Sequence, residues 1–255
     1  MFSLKDFALT GKKAIVTGGG RGLCRGMAEA LHEAGAEVTI WDVSPEAAQT
    51  AAEIGTHGES VHFVQVDLTQ TEEIDKAVVQ SIEMMGRIDI LVNGAGIQYR
   101  APVLEFPEKM WRAVLEVNLT SMFLVSQRIG RLMCEQRSGR IINIASMCSV
   151  FGSVNISAYS ASKGGVAQLT KALSNEWAGK GVNVNAIAPG YMRTKITADM
   201  QEKSPRQYEE ITNRIPMGRW GEAEDLQGLV VFLAADASAY MTGAVIPVDG
   251  GYLAK

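Results

Sequence analysis

Seven short apolar runs alternate with helical stretches along the whole chain, and few folds accommodate that rhythm. The runs are K-A-I-V-T (13–17), E-V-T-I-W (37–41), H-F-V-Q-V (62–66), I-D-I-L-V (88–92), R-I-I-N-I-A (140–145), V-N-V-N-A-I-A (182–188) and A-V-I-P-V (244–248). Strands covered on both faces read as near-continuous apolar runs, whereas half-exposed strands alternate. Residues 22–34, 71–85, 107–136, 157–178 and 222–234 instead carry apolar positions at helical spacing. Two of these stretches open on Thr71 with Glu72 and Glu73, or on Pro107 followed by Glu108. Strand, helix and parallel strand in succession predict an α/β fold, a doubly wound parallel sheet of seven strands with helices on both faces. With 255 residues, 47% of them hydrophobic, the chain suits one domain spanning 1–255. No period of 20 to 50 residues and no low-complexity segment argues for repeats.

Charge and composition exclude several classes. A formal net charge of −4 leaves no basic stripe for a phosphate backbone, so nucleic acid is not expected as a partner. Lys5 and Asp6 interrupt the N-terminal stretch, which therefore reads as neither a signal peptide nor a membrane span, and a cytoplasmic chain is expected. Cys24, Cys134 and Cys148 are odd in number and lack C-x-x-C spacing, which suits reduced, structural thiols. His32, His57 and His62 are scattered, so no metal site is expected.

The first apolar run ends in T-G-G-G-R-G-L-C-R-G. Gly18 and Gly22 can take backbone angles closed to other residues, and a helix starting near Gly22 aims free N–H groups and its positive dipole end at a pyrophosphate. Asp42 follows Gly18 by 24 residues (42 − 18), just past the second run, where a carboxylate accepts ribose hydroxyls and repels a 2′-phosphate. Arg21 argues the other way, since a guanidinium in the cradle could hold that phosphate. Asp67, after the third run, could bond an adenine amino group or cap the helix that follows.

Tyr159 and Lys163 stand four apart (163 − 159), with Ser146 13 residues upstream of the tyrosine (159 − 146). On a helix, i and i+4 share a face, so the ammonium lies beside the phenol and favours its ionised form. A serine leaving a buried strand's C-terminal end can bond the same substrate oxygen, which gives three groups converging on one carbonyl. A Y-x-x-x-K spacing also arises by chance on amphipathic helices. The stretch 190–221 is polar and less periodic and follows a strand end, so it reads as a substrate lid or as a surface helical hairpin.

With these pieces in order, the chain resembles the short-chain dehydrogenase/reductase family over 9–252. T-G-x-x-x-G is present as Thr17, Gly18 and Gly22, the family's N-N-A-G appears as N-G-A-G over 93–96, and the helix asparagine matches Asn118. The resemblance implies a Rossmann-type dinucleotide-binding and catalytic domain holding NAD, a homotetramer, and Asn118, Ser146, Tyr159 and Lys163 as the catalytic set. It further implies that Asn93 steadies the sheet and that Ala95 and Gly96 approach the adenosine ribose. Pro189, Gly190 and Thr194 then lie at the nicotinamide, and Leu23, Leu68 and Met192 complete the cofactor contacts. Tyr159 is the implied acid/base and Ser146 polarises the carbonyl. Lys163 holds the nicotinamide ribose and lowers the Tyr159 pKa, while Asn118 holds a proton-passing water. Two positions depart from the pattern. Cys24 replaces the third fingerprint glycine, for which a modest shift of the first helix is expected, and Gly94 replaces an asparagine, which a close backbone approach tolerates.

Segments such as N-E-W-A, R-I-P-M-G-R-W-G and V-D-G-G-Y-L-A-K are similar to the family's bacterial sugar-acid branch, which includes 2-deoxy-D-gluconate 3-dehydrogenase and gluconate 5-dehydrogenase. That implies a small hydroxy or keto acid as substrate, with Met147 lining its site and Arg100 or Arg193 as the cation for its carboxylate; either arginine could equally be a surface residue. An acyl-carrier-protein reductase would favour NADPH and a basic docking patch, against which Asp42 and the acidic balance speak. A hydroxysteroid or bile-acid dehydrogenase would favour an apolar lid, and a non-enzymatic redox-sensing regulator would need no proton relay.

Overall fold

The computed structural model describes residues 3–55, 61–194 and 200–255. Lys13–Thr17 (β1) is the pivot of the sheet. It pairs in parallel with Glu37–Asp42 (β2) on one side and with Ile90–Asn93 (β4) on the other. His62–Gln65 (β3) extends the β2 side; Gly139–Ile144 (β5), Val182–Pro189 (β6) and Val245–Val248 (β7) extend the β4 side. The order is β3-β2-β1-β4-β5-β6-β7, all parallel. Strand order reverses between β1 and β4, so connections leave the two strand tips in opposite directions and a crevice opens there.

Alternate side chains of each strand feed opposite faces. Ile40 joins a core with Gly22–Glu33 (α1), Ala47–Ile54 (α2) and Glu224–Ala234 (α9). Its neighbour Trp41 joins the other core, beneath Thr71–Met85 (α3), Ser121–Gln136 (α5) and Ser157–Trp177 (α6). The Trp41 indole donates to Ser81 Oγ at 3.0 Å, which satisfies its buried N–H.

Three elements differ from the sequence expectation. α2 was not anticipated, although Ser44-Pro45-Glu46 ahead of it is a helix-start signal. α3 begins at Thr71, yet Thr71 is not its cap, because Gln70 holds that position without a side-chain bond. The preceding turn is fixed by Asp67, whose Oδ1 accepts from Thr69 N and Oγ1, while Glu73 reaches back to the Asp67 N–H at 2.7 Å. Finally, 107–136 is not one helix. Glu108–Leu115 (α4) passes into α5 through a π-turn, Glu116–Thr120, that carries Asn118. Between β6 and α9, Met200–Lys203 (α7) and Pro205–Arg214 (α8) form, and residues 195–199 of the expected lid lie outside the described residues.

Candidate active site

At the β1 and β4 tips the two turns approach too closely for side chains between them. Gly18 sits at φ 68°, and a Cβ there would stand 2.9 Å from Ala95 Cα, so only glycine lets the two turns meet. Gly22, at φ 60°, opens α1 directly behind Arg21, which supplies no side-chain cap, leaving the first N–H groups of α1 for a ligand. Asp42 ends β2 beside this turn. Its Oδ2 accepts from Gly20 N at 3.1 Å and its Oδ1 from Ser44 N at 3.0 Å. A cavity of about 520 Å³ lies here, lined by Gly20, Arg21, Gly22, Arg25, Asp42 and Ser44. These features fit the adenosine and pyrophosphate of a nicotinamide dinucleotide. Gly20, Arg25 and Ser44 escaped the sequence reading, although Gly20 lies within the legible G-G-G run. Arg25 is already tied to Glu29 at 2.8 Å and Glu53 at 3.0 Å.

Thr17 clamps the two strand tips, its Oγ1 accepting from Gly94 N at 3.0 Å and Ala95 N at 3.2 Å. Asn93, 2% exposed, donates to Ser126 Oγ and to Asn143 Oδ1, both at 2.9 Å, and Asn143 donates on to Thr170 Oγ1 at 2.9 Å. This buried chain ties β4, β5, α5 and α6 together. A Cβ at Gly96 would stand 3.3 Å from Asn118 Oδ1 and 3.9 Å from Lys163 Nζ, so the 94–96 turn joins the cofactor cradle to the chemistry.

Ser146, Tyr159 and Lys163 do converge. Ser146 Oγ accepts from Cys148 N at 3.1 Å, which fixes the hydroxyl at the β5 exit. Burial pushes the Tyr159 phenol above its ordinary value, a bond from Ser146 pulls it back, and nearby Cys148 raises it further. The expected lowering by Lys163 is not what this geometry produces. Lys163 Nζ lies 5.7 Å from the Tyr159 ring centroid and donates to the Ile144 carbonyl at 2.6 Å, at the tip of β5 rather than at the phenol. Burial lowers the Lys163 ammonium to about 8, with Cys24 and Cys148 opposing the shift.

Asn118 is fully buried. Its Oδ1 accepts from Ile97 N at 2.8 Å, and its Nδ2 donates to Ile97 O at 2.9 Å and Ser162 Oγ at 3.1 Å. Both amide hydrogens are thereby engaged, so a water could reach the side chain only at Oδ1. Ser162 Oγ in turn donates to the Tyr159 carbonyl at 2.8 Å, linking the π-turn to the helix that carries the phenol.

Several anticipated contacts sit differently. Leu68 faces the core among Val66 and Ile74, and Leu23 packs against the opposite core, leaving mainly backbone toward the crevice. Asp67 Oδ1 shapes the α3 turn. Met192 is buried and bridges in parallel with Gly221, while Arg193 N donates to Gly221 O at 2.8 Å. The Arg193 guanidinium is held by Glu222 at 3.1 Å and by Tyr208, so it is engaged within the lid rather than free for a substrate. Met147 is buried in an aromatic cluster with Trp220 and Tyr252 rather than standing open in the pocket. Pro189 ends β6 and Gly190 follows it, where a Cβ would strike Asp249 Cα at 2.6 Å; Thr194 lies at the edge of the described residues. Arg100 is exposed just past the 94–96 turn. No group of metal-binding side chains occurs among the described residues, nor a helix long and apolar enough to cross a membrane.

Comparison with known proteins agrees with this geometry. Residues 18–253 match the family model described as enoyl-(acyl carrier protein) reductase. The chain is 43% identical to the 2-dehydro-3-deoxy-D-gluconate 5-dehydrogenase of Bacillus subtilis over 98% of this chain and 97% of that one. It is 41% identical to the 5-keto-D-gluconate 5-reductase of Escherichia coli K12, covering 97% of each. A gluconate 5-dehydrogenase from Burkholderia cenocepacia, solved with NADP and tartrate, superposes with a TM-score of 0.95 at 36% identity over 100% of both chains. A glycine turn meeting a second turn at the sheet's switch point, a serine, tyrosine and lysine gathered beside it, and relatives matched end to end lead to one conclusion: the chain is an oxidoreductase of the short-chain dehydrogenase/reductase family.

Proposed function

We propose that the protein interconverts a secondary alcohol and a ketone on a small polyhydroxylated sugar acid, with NAD(H) preferred over NADP(H). The observation that carries the reaction is the meeting of Ser146, Tyr159 and Lys163 beside the glycine cradle. When bound, the nicotinamide supplies or accepts a hydride. The chain's own residues hold the substrate oxygen and move its proton. Ser146 Oγ and the Tyr159 phenol bracket that oxygen, and Tyr159 takes the proton in oxidation or returns it in reduction. Lys163 keeps a cation beside the site, anchored on Ile144 O. Asn118 positions the Ile97 backbone and, through Ser162, the Tyr159 turn. The stretch 190–221 acts as the lid, and four chains form the assembly.

The sugar-acid reading is supported by the two relatives named for gluconate derivatives and by Arg100, an anticipated cation that is left exposed. The NAD(H) reading is supported by Asp42, whose two oxygens are pinned at the ribose edge by Gly20 and Ser44. A like charge about 4 Å away costs on the order of 4 kcal/mol at an effective dielectric near 20. Arg21 and Arg25 offset part of that, leaving a preference of about tenfold or more.

The test is a substrate panel of sugar acids, matched polyols, acyl thioesters and steroids, followed by NADH and NADPH absorbance. Sugar-acid turnover is expected, with Arg100→Ala raising KM for the acid about ten- to a hundredfold and barely changing activity on the polyol, as loss of a charged bond predicts. Turnover of acyl thioesters or apolar ketones only would overturn the substrate, and equal kcat/KM with both cofactors would overturn the NAD(H) preference.

A further inference from the structure

The two positions that break the family pattern, 24 and 94, are 70 residues apart in sequence (94 − 24) and in contact in space. A Cβ built on Gly94 would overlap Cys24 Sγ outright, and would stand 3.4 Å from Cys24 Cβ and 3.1 Å from Thr17 O. The thiol thus occupies the volume that a side chain at 94 would need. Cys24 is the third residue of α1, 7% exposed, and packs in the α1 core cluster. Room for it comes from the missing side chain at 94, so no displacement of α1 is required to accept a residue larger than glycine. Burial pushes the thiol up to about 11, with Lys163 lowering and Asp42 raising it, so at neutral pH Cys24 is an uncharged packing group.

Gly94 begins the turn on which the site depends. Its N–H and that of Ala95 donate to Thr17 Oγ1, Ala95 Cα faces Gly18, and Gly96 faces Asn118 and Lys163. Glycine at 94 leaves that turn without a side chain of its own, so a neighbour must brace it. We propose that Cys24 is a positioning residue for the 94–96 turn, working in reciprocal size exchange with Gly94: the side chain that braces the cradle floor comes from α1 instead of from the turn itself. The pair then acts as one unit, and neither position tolerates a change of size without the other. The proposal rests on the dinucleotide site assigned above.

A double-mutant cycle tests it, with NADH dissociation constants from fluorescence and Tm from thermal melts of wild type, Cys24→Gly, Gly94→Asn and the double variant. Gly94→Asn is expected to weaken NADH binding about tenfold or more and Cys24→Gly about threefold, while the double variant returns to within about threefold of wild type, since contacting residues are non-additive. Should Gly94→Asn fail to fold, Gly94→Ala compared in the wild-type and Cys24→Gly backgrounds gives the same cycle. Near-isosteric Cys24→Ser is expected to keep both Kd and kcat. A purely structural thiol would lower Tm and leave the NADH affinity of the folded protein unchanged. That result, or losses that simply add in the double variant, overturns the proposal. Failure of the wild type itself to bind NADH or NADPH would instead overturn the cofactor site.

Discussion

Tyr159 is half-buried, its phenol sits above the ordinary value, and the nearest lysine is turned toward a carbonyl. Alcohol oxidation needs the phenolate, which a raised pKa keeps scarce at neutral pH. Between pH 6 and 8, below the point where Lys163 surrenders its proton, kcat/KM for oxidation should therefore rise up to about tenfold per pH unit. Reduction, which needs the neutral phenol, should be flat over the same window. Tyr159→Phe should abolish turnover and retain NADH binding, since the phenol acts on the substrate's proton; a flat oxidation profile, or a tenth of wild-type activity in the Phe variant, would point to another acid/base. The identity of these residues was legible from spacing. The direction in which Lys163 points was not, because Ile144 O lies 19 residues away and reaches Nζ only after β5 and α6 have packed.

At the scale of elements, strands β1 to β7 follow the apolar runs to within two residues, because burial on both sheet faces writes itself directly into composition. The π-turn at 116–120 left no local signature, since it is fixed by Asn118 bonding to Ile97, 21 residues away. Single π-turns inside longer helices frequently sit at functional sites. The Cys24 and Gly94 pairing was equally invisible: each departure was readable, but their contact depends on the β1 and β4 tips meeting. Lid docking belongs here as well. Trp220 stacks on Tyr208 with centroids 4.9 Å apart, lies 5.1 Å from Tyr191, and donates to Thr212 Oγ1 at 3.0 Å. Trp220→Ala should cost about 3–5 kcal/mol where the lid packs. Because that cluster holds α8 against Met147 and not against the cradle, substrate KM should rise while NADH affinity stays within about twofold. Parallel loss of both would show that the cluster supports the whole domain and not the lid.

For the molecule as a whole, seven parallel strands followed from the strand rhythm and the cradle from the glycine turn after the first run, whereas the order of the strands and the assembly depend on contacts that a linear pattern does not carry. Trp111 on α4 and Phe123 on α5 remain 37% and 40% exposed, and Leu104 just before α4 is fully exposed. Large apolar side chains exposed on these neighbouring elements are candidates for contact with further copies. For the proposed tetramer, light scattering at micromolar concentration should give four times the chain mass, and a stable monomer or dimer would remove the tetramer from the proposal. The buried chain Asn93, Asn143 and Thr170 has a consequence for how the sheet reaches this state. Asn93 lies opposite Asn143 in the β4–β5 register and opposite Thr17 in the β1–β4 register. Sliding β4 by one residue would send these amides to the other face and strand their partners, at roughly 1–3 kcal/mol for each orphaned group. Aliphatic strands of similar shape can settle against each other in more than one alignment at little cost. A polar seam through the middle of this sheet penalises every alignment but one, so misassembled chains are sorted out thermodynamically before any ligand arrives.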